Sequence, residues 1–252
     1  MAGREGALLG HINSIQTLGT IDGPGVRFVV FMQGCNLRCS CCHNPETQRI
    51  TAKKTCSEAL GEGIKLYTAA ELADMAERYR SYFGRDGGIT LSGGEPLVQA
   101  EFCFEVFSEC KKRGINTCLD TSGGIWNSSA EKLLSVTDRA LLDIKYHTDE
   151  LYRKYVGCGI DAPLVFLKEL NDRGIPVTLR QVTIPTLNDN SQSMEFLKEL
   201  KHRYSCIDKI ELLPFKKICQ VKYDNMGIPF PFADMDTPSA ETMDALRHIL
   251  TR

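Results

Sequence analysis

The hydrophobic positions of this chain alternate between short β-rich runs and longer stretches with helical spacing. The short runs predict strands over 26–32, 89–91, 117–119, 140–144, 177–182 and 209–213. Between them, apolar residues recur three and four apart, which predicts helices over 69–82, 100–113, 129–135, 164–173 and 191–202. Gly114 and Gly174 stand just past two of these, preceded by Arg113 and Arg173, as helix C-termini favour. A last helix over 240–250 follows a passage carrying Pro229, Pro231 and Pro238. Strands that alternate with helices in this way specify a parallel α/β sheet with outer helices. Six strands are too few for a closed eight-stranded barrel, so the expected fold is a partial (β/α)6 barrel of the TIM type. No linker composition divides the sequence, and residues 1–252 are expected to form a single domain.

In parallel sheets the chemistry sits at the C-terminal ends of the strands. The polar clusters at 34–44, Ser92-Gly93-Gly94-Glu95-Pro96, Asp120-Thr121-Ser122-Gly123, Asp143-Ile144-Lys145 and Pro214-Phe215-Lys216 all fall there, and are expected to share one face.

Charge narrows the partners. With Lys+Arg at 30 against Asp+Glu at 32, the chain offers no broad basic face for a nucleic-acid backbone. No apolar run approaches the roughly 20 residues that span a bilayer. The start, Met1-Ala-Gly-Arg-Glu, lacks the apolar core of a secretory signal, so the expected compartment is the cytoplasm. Cysteine is the anomalous component. Its odd count, 11, argues against a disulfide framework and for free thiols. Most are dispersed singly, as small buried hydrophobes are, but Cys35, Cys39, Cys41 and Cys42 crowd one segment.

That segment reads Gly34-Cys35-Asn36-Leu37-Arg38-Cys39-Ser40-Cys41-Cys42-His43-Asn44-Pro45 and follows a hydrophobic strand. Three thiolates on a cubane leave one iron open to an exogenous ligand, which is a catalytic design. The residues alone also admit a zinc site with Cys41 or His43 as fourth ligand. Against it, adjacent Cys41 and Cys42 point poorly at one ion, and no second pair follows at zinc-ribbon spacing. Likewise the Gly93-Gly94 pair is by itself compatible with a plain turn, and a carboxylate with a lysine on neighbouring strand ends with a simple salt bridge.

Cys35-x3-Cys39-x2-Cys42, taken with Thr20-Ile21-Asp22-Gly23-Pro24-Gly25-Val26-Arg27, Cys42-His43-Asn44-Pro45 and Leu119-Asp120-Thr121-Ser122-Gly123, resembles the radical S-adenosylmethionine (SAM) superfamily. Within it, the likeness is to the branch that activates glycyl radical enzymes, and it runs from about Gly10 to the last helix. The resemblance implies a [4Fe-4S] cluster held by Cys35, Cys39 and Cys42. It implies SAM contacts from Cys41, Cys42, His43, Gly94, Glu95, Asp143, Ile144, Lys145, Arg180 and Lys216. It also implies a monovalent cation at Asp120, Thr121, Asp143 and the carbonyl of Leu141, since oxygen-rich sites suit hard cations. The cofactors would carry the hard chemistry, with no side chain acting as acid or base. Reductive cleavage of SAM would yield a 5′-deoxyadenosyl radical that removes a glycine Cα hydrogen from a partner enzyme, with pyruvate formate-lyase the expected one and another glycyl radical enzyme the alternative. Asp22 and Arg27 are the expected partner contacts. A flavodoxin-type electron donor and a monomeric state are further expectations. A reading of a different class is a non-catalytic metal-binding or redox-sensing module.

Two departures from the family pattern stand out. Cys41 replaces the aromatic residue that usually precedes the last cluster cysteine, and Lys216 stands where the nearest relatives carry histidine. The stretch 50–66 is longer than expected yet carries only Cys56, so no ferredoxin-like insert and no second cluster are expected.

Overall fold

The computed structural model describes residues 6–51 and 63–251. Cys56 and most of the stretch 50–66 therefore lie outside the described residues. The elements run β1 (Gly10–Gly19), β2 (Arg27–Met32), β3 (Lys65–Tyr67), α1 (Ala69–Glu77), α2 (Arg80–Phe83), β4 (Gly88–Gly93), α3 (Ala100–Lys112), β5 (Asn116–Thr121) and α4 (Ser128–Leu134). They continue β6 (Arg139–Asp143), α5 (Asp149–Tyr155), α6 (Asp161–Asp172), β7 (Val177–Thr183), α7 (Ser191–Arg203), β8 (Ile207–Pro214), α8 (Gln220–Met226) and α9 (Ala240–Thr251). The sheet is open, eight-stranded and mostly parallel, in the order β3-β1-β2-β4-β5-β6-β7-β8.

All six predicted strands are present as β2, β4, β5, β6, β7 and β8. The pairs β2 with β4, β4 with β5, and β7 with β8 are parallel. Their sequences are near-continuous apolar runs because both faces are covered: Phe28, Val29, Val30, Ile89 and Leu91 are fully buried. Burying each such side chain contributes roughly 1.5–3 kcal/mol. Antiparallel β1 and β3 extend the sheet beyond β2. The sequence reading did not include them, since β1 is rich in polar residues and bounded by glycines. It joins the sheet through its ladder to β2, which places Gly19 opposite Arg27.

Helix starts follow local chemistry. Thr68 and Glu71 form a reciprocal capping box at α1, and Asn127, Thr148 and Asn190 cap α4, α5 and α7. The helix expected over 69–82 is divided in two. Tyr79 leaves helical geometry and lays its ring on Phe28 at 5.8 Å, so core packing overrides the helical pattern there.

The chain clusters into two compact units. The first comprises Met1–Asn36, Thr47–Thr121 and Ile125–Leu141; the second, Leu37–Glu46, Ser122–Gly124 and Leu142–Arg252. Among the described residues no helix is long and apolar enough to cross a membrane.

Candidate active site

In the first unit, parallel pairing brings the ends of β2 and β4 side by side, with Met32 opposite Gly93. The loop that carries Cys35 is fixed by backbone bonds: Gly34 N–H donates to the Thr47 carbonyl at 2.8 Å, and Cys35 N–H to that of Gln48 at 3.4 Å. The Gly93-Gly94 loop is joined to the same backbone. Gly94 N–H donates to the Met32 carbonyl at 3.0 Å and Glu95 N–H to the Gly34 carbonyl at 2.8 Å. Gly93 adopts φ 104°, a region that favours glycine, and a Cβ on Gly94 would lie 2.3 Å from the Gly34 oxygen. Two backbones approach here as closely as they do because neither residue has a side chain.

Next along the same strand ends, Ser92 Oγ donates to Asp120 Oδ2 at 2.7 Å, and Thr121 Oγ1 donates to Glu95 Oε1 at 2.6 Å. Glu95 was an expected SAM contact. Its carboxylate is buried, at 1% exposure, and also accepts the Leu97 N–H. A buried carboxylate needs such donors, and Glu95 serves the shape of the loop. Asp120 remains half-buried, while Thr121 and Leu141 are buried. A cavity of about 390 Å³ elsewhere in this unit, bordered by His11, Val98 and Phe102, contains none of the expected cluster cysteines.

In the second unit the rest of the cysteine loop lies along the end of α5. Arg38 N–H donates to the Val156 carbonyl at 3.0 Å and Ser40 N–H to that of Tyr155 at 2.8 Å, while Cys42 N–H closes a turn onto the Cys39 carbonyl. Side chains of α8 secure the far end. Tyr223 donates from its hydroxyl to the Cys42 carbonyl, and Lys222 Nζ reaches Asn44 Oδ1 and Glu46 Oε1, both at 2.6 Å. His43 Nε2 meets the Lys216 carbonyl at 3.0 Å. Burial lowers the His43 pKa below its ordinary 6.5, so its ring is neutral at pH 7. Lys216 thus contributes its backbone, and its side chain is exposed. The sequence reading missed Lys222 and Tyr223, because α8 is short and its role depends on a loop 178 positions earlier.

Asp143 and Lys145 form an ion pair at 2.8 Å just beyond β6. Desolvation works to raise the Asp143 pKa, yet Lys145 and then Arg180 pull it below its ordinary 3.8. Desolvation also works to lower Lys145, and Asp143, Cys39 and Cys41 together hold it well above 10.5. Cys41 itself is pushed up to about 11, chiefly by desolvation and against the pull of Lys145. Arg180 approaches Glu211 at 3.8 Å and accepts the Ile144 N–H on its carbonyl. The Ile144 carbonyl accepts from Gln181, so both backbone groups of this expected SAM contact are engaged within the protein.

The structure buries both expected partner contacts. Arg27 is fully buried, donating to Thr90 Oγ1, Asn116 Oδ1 and the carbonyls of Asp86 and Ile89. Thr90 in turn donates to the Asp22 carbonyl at 2.7 Å, and Asp22 is 8% exposed. Arg27 opens β2, about 17 Å of extended chain from Met32 at the cysteine end of that strand, and Asp22 precedes it in the chain. The large apolar residue this loop exposes is Ile21, at 74%.

An open parallel sheet with a three-cysteine loop at a strand end defines a class. A Radical SAM superfamily profile matches residues 29–197, and the chain belongs to that superfamily, whose members use a [4Fe-4S] cluster and SAM. It is 37% identical to the pyruvate formate-lyase-activating enzyme of Clostridium pasteurianum over 244 residues, 96% of this chain and 98% of that one. It is 36% identical to the pyruvate formate-lyase 1-activating enzyme of Escherichia coli (strain K12), with 97% and 96% covered. Among solved structures, a radical SAM methyltransferase from Sphaerobacter thermophilus shares the fold at TM-score 0.61 and 20% identity, over 89% of this chain and 63% of that one.

The donors present fit the cluster by their chemistry. Cys35, Cys39 and Cys42 are partly exposed on a polar loop, whereas Cys103, Cys110, Cys118 and Cys219 are buried. Burial pushes the Cys110 thiol up to about 12 and Cys118 to about 11, which keeps them protonated and inert. Among the described residues no three His, Cys, Asp or Glu side chains converge as a single ion would require. A cubane makes no such demand, since it gives each cysteine a separate iron.

Proposed function

We propose that this chain is an oxidoreductase that activates pyruvate formate-lyase by creating a glycyl radical on it. The observation that carries this reading is the 37% identity, over nearly the whole of both chains, to an enzyme of that name. In this reading Cys35, Cys39 and Cys42 hold one [4Fe-4S] cluster, and residues 1–252 act as one catalytic domain without a second cluster. When bound, the cluster and SAM supply one electron and a 5′-deoxyadenosyl radical that takes a glycine Cα hydrogen from the partner.

The protein's own part is to bind, orient and exclude water. Gly94 lets its loop close onto the Gly34 backbone, and that joined loop is the proposed seat for the amino-acid end of SAM, while Asp143 with Lys145 supplies a fixed ion pair whose charges suit a zwitterionic ligand. Cys41, Cys42, His43, Glu95, Ile144, Arg180 and Lys216 complete the proposed SAM contacts. Asp120, Thr121 and Asp143, with the Leu141 carbonyl, are the proposed ligands of a monovalent cation. A flavodoxin-type donor, a monomeric state and a cytoplasmic location belong to the same reading.

The test is an anaerobic EPR spectrum of the reconstituted, reduced protein mixed with SAM and pyruvate formate-lyase. A glycyl radical doublet is the expected result. Cleavage of SAM without a doublet would assign the chemistry to another glycyl radical enzyme.

A further inference from the structure

Tyr146 follows directly on Lys145 and is 1% exposed. Its ring packs against Tyr155 at 5.6 Å and meets Tyr152 edge-on at 6.2 Å. The Tyr155 carbonyl accepts the N–H of Ser40, the residue between Cys39 and Cys41. The aromatic cluster is therefore the wall on which the cysteine loop rests. Among the described residues the Tyr146 hydroxyl has no hydrogen-bond partner. Its neighbours do: Tyr152 accepts the Lys145 N–H, and Tyr223 donates to the Cys42 carbonyl. An orphaned, buried hydroxyl is destabilising and calls for an acceptor. The groups around it narrow the choice. A phenol hydroxyl is protonated at neutral pH and donates, and the Ser40–Tyr155 bond sets the loop of Cys39 and Cys41 against the same aromatic wall.

We propose that the Tyr146 hydroxyl donates a hydrogen bond to a sulfur of the [4Fe-4S] cluster, either the Cys39 thiolate or a bridging sulfide, and thereby raises the cluster's reduction potential. The inference rests on the reading that Cys35, Cys39 and Cys42 hold that cluster. The physical reason is general: a donor aimed at a cluster sulfur stabilises the added negative charge of the reduced state. Tyr146 acts here as a tuning residue, with no part in bond making.

The experiment uses the reconstituted full chain and its Tyr146→Phe variant, without SAM or partner. Expected are equal iron content, a more negative midpoint in an EPR-monitored redox titration, and loss of one deuterium-exchangeable proton coupling in the ENDOR spectrum of the reduced cluster. An unchanged midpoint with unchanged couplings would overturn the proposal. The apo protein supplies an independent readout. Deleting an unsatisfied hydroxyl leaves apo Tyr146→Phe melting no lower than the wild type, whereas a lower Tm would mean that a protein group or water already partners the phenol, and would overturn it too. If the wild type takes up no [4Fe-4S] cluster, or if Cys39→Ala takes it up as well, the cluster reading itself has failed and the proposal falls with it.

Discussion

The two ends of the strands in the first unit use polar residues in opposite ways. At the start of β2, Arg27 directs its guanidinium at a hydroxyl, an amide oxygen and backbone carbonyls, all neutral, and is wholly buried. At the other end, buried Ser92 pairs with half-buried Asp120 beside the Cys35 loop, and Gly94 lets backbones meet. Charge in a motif is therefore no guide to contact with a partner. A cation whose donors are consumed inside the fold holds the loop, and one end of the strand is built for shape while the other is built for ligands.

Substitutions at the two ends should separate these roles. The largest effect belongs to the ligand end: Cys39→Ala should abolish cluster assembly and SAM cleavage, read as iron content and 5′-deoxyadenosine formation. Persistent 5′-deoxyadenosine in that variant would remove Cys39 from the cluster. Gly94→Ala comes next, because its Cβ would meet the Gly34 oxygen at 2.3 Å and one backbone must move. A displacement of that order costs about a hundredfold in SAM cleavage, with iron content retained.

At the shape end, Arg27→Met should cost about 3 kcal/mol or more, since it strands the Asn116, Thr90 and carbonyl acceptors. Urea denaturation measures the loss, and the folded fraction should keep its KM for the protein partner. A raised KM at full stability would restore Arg27 to the partner surface. Between the two ends in size stands the Asp143–Lys145 pair, whose contribution depends on pH. Asp143 lies below 3.8 when folded, so its stabilisation is complete above that value and is lost as the pH falls through its folded pKa. Lys145 lies above 10.5, so its share is complete below that value and is lost as the pH rises through its folded pKa. Asp143→Asn should therefore cost most between about pH 5 and 10 and approach the wild type in strong acid, as judged by thermal melts across pH. The smallest effect is Tyr223→Phe. Losing the bond to the Cys42 carbonyl should cost about 1 kcal/mol and hasten loss of the cluster in air, followed by its absorption.

Local signals settled much of this protein. Apolar runs marked the six parallel strands, because a strand covered on both faces has no polar alternation to hide it. The Cys35-x3-Cys39-x2-Cys42 spacing marked the loop proposed to hold the cluster, because ligand chemistry constrains residues only a few positions apart. Thr68, Asn127 and Asn190 cap their helices from within three residues, a local signal that the hydrophobic pattern alone did not use. What tertiary structure alone decided is where polar groups were consumed. Glu95 and Arg27 look in the sequence like ligand and partner contacts, and both are spent internally on residues 26 and 63 positions away. Lys222 and Tyr223 look like surface residues and hold the cysteine loop from 178 and 181 positions away. A side chain's type states what it can bind; which partner it reaches depends on the packing of distant segments, and no local pattern encodes that.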